Sequence, residues 1–159
     1  MVEYEPIGEI RSPYETEAPF QPIPNDDEFA VELDLAYAPG LADLDSFTYA
    51  YVLYDLHRSD DYALSVEPPW SEGRSIGLFA TRAPRRPNSI GLSIVRIQAV
   101  EDSTISISAI DAFDGTPVLD VKPYVDGLDT REDANLGWID PENADDRDHL
   151  ERHIKGVPH

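Results

Sequence analysis

The chain has 159 residues, with 32 Asp and Glu against 12 Lys and Arg, a formal net charge of -20 and no Cys. Its length suits one domain with its own core, and the lack of thiols excludes disulfides, a thiol nucleophile and thiolate metal ligation. His57, His149, His153 and His159 lack metal-ligand spacing, no apolar run approaches the roughly 20 residues of a membrane helix, and the N-terminus lacks a signal-like apolar region, so no metal, no membrane span and a cytoplasmic location are expected.

The acids are spread through the chain, and Lys122 and Lys155 are the only lysines. This is the composition of a halophilic surface, on which self-repulsion is tolerated because salt screens it.

Tyr4–Arg11 (YEPIGEIR) reads as a first strand interrupted at Pro6 and Gly8, and the proline-rich Tyr14–Asp27 as an ordered loop. Phe29–Leu35 (FAVELDL) alternates apolar and acidic residues, which predicts a half-buried strand with Phe29, Val31, Leu33 and Leu35 facing the core. Pro39-Gly40 starts a turn, and Leu41–Leu44 forms a short helical turn. Phe47–Leu56 (FTYAYVLYDL), aromatic and β-branched, predicts a central strand ending at His57. Leu64–Val66 is a short strand stopped by Pro68-Pro69.

Gly73–Val100 holds no acid and five arginines, Arg74, Arg82, Arg85, Arg86 and Arg96, so this window is +5 and the remainder of the chain -25. Strand-like runs Ser75–Ala80 and Ile90–Ile97 flank a loop stiffened by Pro84 and Pro87. Guanidinium groups on a stiff loop suit bidentate recognition of carboxylate or phosphate; pairing with surplus surface acids is the plainer reading of the same residues.

Ile94–Val100 and Thr104–Ile110 predict a hairpin across Glu101-Asp102-Ser103. Asp111–Gly115 forms a turn and Pro117–Val121 the last strand. The resulting expectation is an all-β fold, a small antiparallel β-barrel of seven or eight strands over residues 1–125, closed because closure removes exposed edges. Residues 126–159 form an acidic C-terminal extension. Within it Trp138 and Ile139 are positioned to anchor the tail on the barrel, and Pro141–Ile154 reads as a helix with Asp140 as its N-cap.

Several segments resemble the TsaA-like family: Ile7–Tyr14 (IGEIRSPY), Ala18–Gln21 (APFQ), Leu53–His57 (LYDLH), Pro68-Pro69, Gly77–Arg82 (GLFATR), Arg86–Asn88 (RPN), Ile90–Ser93 (IGLS) and Asp111–Tyr124 (DAFDGTPVLDVKPY). They occur in the family's order over roughly residues 5–125. The resemblance implies a dimeric β-barrel that uses S-adenosyl-L-methionine to methylate N6 of N6-threonylcarbamoyladenosine at position 37 of tRNA. It further implies a haloarchaeal-type member without the C-terminal domain of bacterial members. Cofactor contacts carried over are Pro19, Phe20, Gln21, Leu56, His57, Arg82, Leu92, Asp111, Ala112, Phe113 and Asp114. Phe20 stands where the family has Arg, and Ser89 follows Asn88 where the family has Pro.

Within that frame Arg82 suits the methionine carboxylate. Asp111 and Asp114 suit ribose hydroxyls or the cationic part of the cofactor, or else shape an Asp-Gly turn through their own backbone. Leu56, Leu92 and Phe113 flank adenine or belong to the core, and Gln21 binds the cofactor or fixes its loop. Arg85, Arg86 and Asn88 are assigned to the substrate side. The general base is left unknown, with His57 and Asn88 as candidates; for His57 a structural role is the plainer reading. Tyr14, Phe20 and Tyr124 stack on a base or pack in the core. A non-catalytic S-adenosylmethionine-binding module, an RNA-binding barrel and a methyltransferase with another acceptor are the alternatives.

Overall fold

The computed structural model describes residues 1–19, 22, 25–68 and 71–139. Phe20, Gln21 and the helix expected over Pro141–Ile154 lie outside the described residues. Contacts divide the described chain into two compact units, one of residues 1–57 and 90–130, the other of residues 58–89 and 131–139.

The first unit is a closed barrel. Its strands are β1 (Gly8–Arg11), β2 (Phe29–Leu33), β3 (Tyr49–Asp55), β6 (Ile90–Glu101), β7 (Thr104–Ile107) and β8 (Pro117–Pro123). The remaining strands, β4 (Ser65–Val66) and β5 (Ile76–Gly77), belong to the second unit. Barrel order is β1-β2-β7-β6-β3-β8, with β8 returning to β1 and every pair antiparallel. An even number of strands permits this, since each neighbour reverses direction and the ring still closes.

Period-two alternation builds the interior. In β3, Ala50, Val52 and Tyr54 point inward, and β6 contributes Gly91, Ser93 and Val95 opposite them. The core adds Ile10, Val31, Ile105, Ile107, Ile110 and Val118, each no more than 1 % exposed. The expected β6–β7 hairpin forms with Glu101 opposite Thr104 and a two-residue loop, Asp102-Ser103, in which Asp102 takes a φ of 53°. Asp tolerates this left-handed conformation better than most side chains.

Phe29, Val31 and Leu33 are buried as the alternation predicts, but Leu35 is 79 % exposed. The strand stops at Leu33, and Leu35–Leu41 turns into a 3-10 helix through Pro39, which breaks the two-residue phase. Leu41 and Leu44 then return to the core from this helix and the turn after it.

The seam between β1 and β8 is the narrowest pairing in the ring, Gly8 opposite Val118 and Glu9 opposite Pro117. Pro117 has no N–H to give, so neighbouring groups complete the joint: Ile7 N donates to Val118 O, Ile10 N to Thr116 O and Gly115 N to Ile10 O, each at 2.8 Å.

In the second unit β4 and β5 form a two-stranded ribbon, extended by a bond from Leu78 N to Leu64 O at 2.9 Å. β5 runs into one turn of 3-10 helix, Leu78–Ala80, in which Leu78 is buried. The Trp138 segment, expected to anchor on the barrel, belongs to this unit. Its indole Nε1 donates to Ala80 O at 2.7 Å, because an indole has one polar atom and the carbonyl at the end of this turn accepts it.

Candidate functional site

In the barrel the Asp111–Asp114 turn is held from two sides. The Tyr54 hydroxyl, almost fully buried, lies 2.9 Å from Ser93 Oγ and donates to Asp111 Oδ1 at 3.4 Å. A phenol has a single proton; when it goes to the carboxylate, Ser93 must donate to the Tyr54 oxygen. Two inward-facing residues of adjacent strands thereby aim a half-buried carboxylate. Gly91 makes room for this arrangement, since a Cβ there would collide with the Tyr54 ring.

Asp114 Oδ1 accepts from Ser12 N at 3.1 Å, Ser12 Oγ donates to Ala112 O at 2.7 Å, and Asp114 N donates to Tyr14 O at 2.8 Å. The Asp114 carboxylate therefore grips the chain after β1 rather than its own turn. The turn's own acceptor is already served, because Thr116 donates to Phe113 O through both N and Oγ1, at 3.2 and 2.7 Å. Gly115, at φ 79°, supplies the left-handed residue.

Ala112 is buried in the core and Phe113 is half-buried. Leu56, just past β3, packs half-buried against the core, and the next residue, His57, is exposed. Leu92 faces outward with Ile90 and Ile94, about half exposed, opposite Leu53 of β3. Pro19 is half-buried in the loop after Tyr14. Tyr14 packs against Phe29 at 5.9 Å between ring centroids, and Tyr124 lies 5.6 Å from Tyr51 and 6.2 Å from Tyr49. Arg96 belongs to the barrel, where its guanidinium donates to Tyr49 Oη at 2.8 Å.

The arginine loop lies in the second unit with Asn88. Arg82 and Asn88 are exposed. Arg85 meets Asp61 at 3.5 Å with both side chains largely in solvent, a pair that contributes little. Arg86 is half-buried and turns back on the loop: its NH1 donates to Thr81 O at 2.9 Å, Ala83 O at 3.2 Å and Leu78 O at 3.4 Å. It braces the backbone that presents its neighbours. The sequence assigns Arg82 to the cofactor and treats Arg85 and Arg86 alike as substrate contacts; it does not set Arg86 apart as a brace, since a guanidinium's destination depends on which carbonyls the loop turns towards it.

Sequence reasoning also missed Tyr54 and Ser12 as positioning residues. A hydroxyl-bearing aromatic on the inward phase of a central strand is the available signal for Tyr54, because a buried phenol needs a partner. Among the described residues no group of three or more His, Asp or Glu side chains converges as a metal site requires. No helix among them is long and apolar enough to cross a membrane.

Residues 9–130 match the family described as tRNA-methyltransferase O N-terminal domain. The chain is 41 % identical over 143 residues to a probable S-adenosyl-L-methionine-binding protein of Pyrococcus abyssi, covering 88 % of this chain and 77 % of that one. It is 38 % identical over 96 residues to the human tRNA (adenine(37)-N6)-methyltransferase, covering 59 % of this chain and 22 % of that enzyme. The crystal structure of TrmO from Pseudomonas aeruginosa superposes with a TM-score of 0.72 at 34 % identity, covering 89 % of this chain and 64 % of that one. With a family match over most of its length, an identity above 40 % to an archaeal relative and the barrel in common with solved TrmO, this chain belongs to the tRNA-methyltransferase O N-terminal domain family.

Proposed function

We propose that this protein is an S-adenosylmethionine-dependent tRNA methyltransferase that methylates N6 of N6-threonylcarbamoyladenosine at position 37, acting as a cytoplasmic homodimer in a salt-rich cell. The observation that carries this reading is the braced Asp111–Asp114 turn: one carboxylate is spent on Ser12 and the other is aimed by buried Tyr54, within a chain of this family.

Each unit by itself carries side chains whose chemistry suits part of the cofactor. Asp111 offers an acceptor for ribose hydroxyls or an ammonium group, and half-buried Leu56 offers apolar surface for a purine face. Exposed Arg82 offers a two-pronged donor for a carboxylate. When bound, S-adenosylmethionine supplies an electrophilic methyl group whose bond to sulfur breaks as N6 attacks, the sulfur keeping the bonding pair.

The chain's contribution to such a displacement is positioning, which is worth about 7–11 kcal/mol in well-oriented intramolecular reactions. The adenine N6 lone pair is delocalised into the ring, and its N–H becomes acidic only as the new bond forms. A residue that accepts this proton therefore acts late. Exposed His57 is our candidate for it, or passes the proton to solvent. Arg85 and Asn88 are assigned to the RNA side.

The test is transfer of labelled methyl from S-adenosylmethionine to purified tRNA in concentrated KCl, with tRNA carrying or lacking the threonylcarbamoyl group. Label is expected only in the tRNA that carries it. Saturable cofactor binding without transfer to any tRNA would favour a non-catalytic S-adenosylmethionine-binding module instead.

The homodimer reading is supported by the outward row Ile90, Leu92 and Ile94 on β6, which continues onto Leu53 of β3. An aliphatic row without a charge is out of keeping with a surface as acidic as this one, and a two-fold contact would bury it against itself. Ile94→Glu would set like charges across that axis. We expect it to convert a dimer to a monomer in sedimentation experiments while leaving the far-ultraviolet circular dichroism unchanged.

A further inference from the structure

We propose that Phe79 is a stacking platform for a nucleobase of the RNA strand, with Arg85, six residues further along the same acid-free stretch, as a phosphate contact. This rests on the tRNA reading above and adds to it the residue that holds a base. Phe79 is 73 % exposed, while Leu78 before it in the same turn is 1 % exposed. A lone exposed aromatic ring is ordinary on a protein surface; this one is distinguished by how firmly its base is fixed.

Leu78 O accepts from Thr81 N at 3.1 Å, Thr81 Oγ1 at 2.8 Å and Arg86 NH1 at 3.4 Å. Ala80 O accepts from the Trp138 indole at 2.7 Å. The carbonyls on both sides of Phe79 are therefore held, and Arg86, itself bonded to Thr81 O and Ala83 O, places its guanidinium carbon 5.8 Å from the ring centroid. Each bond removes freedom from the turn before any ligand arrives, so a base settling on the ring pays less to order it.

The charge indicates the occupant. Phe79 lies in the acid-free stretch Gly73–Val100, between Arg74 and Arg82, on a chain of net charge -20. A neutral protein partner would gain nothing from that reversal of sign, whereas a strand of phosphates would. Planar bases on a phosphate backbone match an open aromatic ring with one guanidinium beside it and further arginines in its own segment, and stacking needs no particular base because every base has a π-face.

The test uses an anticodon stem-loop RNA with 2-aminopurine in its loop, titrated with full-length protein at two KCl concentrations, and calorimetry with S-adenosylmethionine alongside. We expect Phe79→Ala to weaken RNA binding about tenfold or more at both salts and to lose the stacking quench, with cofactor affinity and thermal midpoint unchanged. Phe79→Trp is expected to retain both signals. Arg85→Ala is expected to weaken binding chiefly at the lower salt, since phosphate contacts are the salt-sensitive ones. Wild-type RNA affinity and quench in Phe79→Ala would overturn the inference and leave the methyltransferase reading standing. Loss of cofactor binding in a folded Phe79→Ala protein would overturn it in favour of a cofactor contact. Failure of the wild-type protein to bind RNA at either salt would overturn the tRNA reading and this inference with it.

Discussion

Replacing Gly8 by alanine is expected to destabilise the barrel by about 3 kcal/mol or more, seen as a fall of roughly 6–12 °C in the thermal midpoint measured by circular dichroism in KCl. Gly8 lies at the closing seam, opposite Leu33 of β2 and Val118 of β8. A Cβ there would collide with Glu32 O and lie 2.7 Å from Leu33 Cα. Both are backbone atoms, so no rotamer change relieves the clash and β1 must move away from β2. That movement strains the short β1–β8 pairing at the same time. Gly91 makes a useful contrast, because the atoms a Cβ would meet there belong to the Tyr54 side chain, which can turn at the expense of its bond to Ser93. Gly40 is the control: nothing lies within 4 Å of an added Cβ, and Gly40→Ala is expected to leave the midpoint unchanged or raise it slightly. An unchanged midpoint in Gly8→Ala would mean that β1 shifts without loss and that the seam does not hold the ring closed.

The second large effect is on ligand binding. Arg82→Ala is expected to weaken S-adenosylmethionine about 10- to 100-fold in calorimetric titration, the range for losing a hydrogen-bonded contact to a charged group. Arg82→Lys, which keeps the charge and loses the planar fork, is expected to fall between the two. Arg82 is exposed, and its loop is stiffened by Pro84, Pro87 and the bonds of Arg86, so truncation removes the guanidinium without loosening the backbone. Concentrated KCl is the appropriate medium, since the Debye length near 1 M is about 3 Å and only contacts at hydrogen-bond range survive it. Wild-type affinity in Arg82→Ala would remove this residue from the cofactor site and return it to the RNA side of the loop.

How much of this was readable beforehand varies by residue. The alternation in Phe29–Leu33 was plain because a strand's two faces meet different surroundings, whereas Tyr49–Asp55 showed as a strand through its aromatic and β-branched content. The same rule misassigned Leu35, since a 3-10 helix begins there and the two-residue phase ends. For Asp114 the residue type allows a cofactor contact or a bond within its own turn, and the structure shows a third partner, Ser12, 102 positions away in the chain. No local pattern announces such a partner.

By itself, the sequence determined the strand-forming segments, the reversal of charge in Gly73–Val100, the absence of thiol chemistry and the family's motifs in their order, all properties of residue type and spacing. Only the tertiary structure decided the ring order β1-β2-β7-β6-β3-β8, the return of Trp138 to Ala80, and the division of labour between Arg86, which braces its loop, and Phe79, which stands exposed on it. The physical reason is the same in each case. Which strand edge or carbonyl a donor reaches depends on where distant parts of the chain come together, and burial and hydrogen-bond satisfaction are settled there rather than between sequence neighbours.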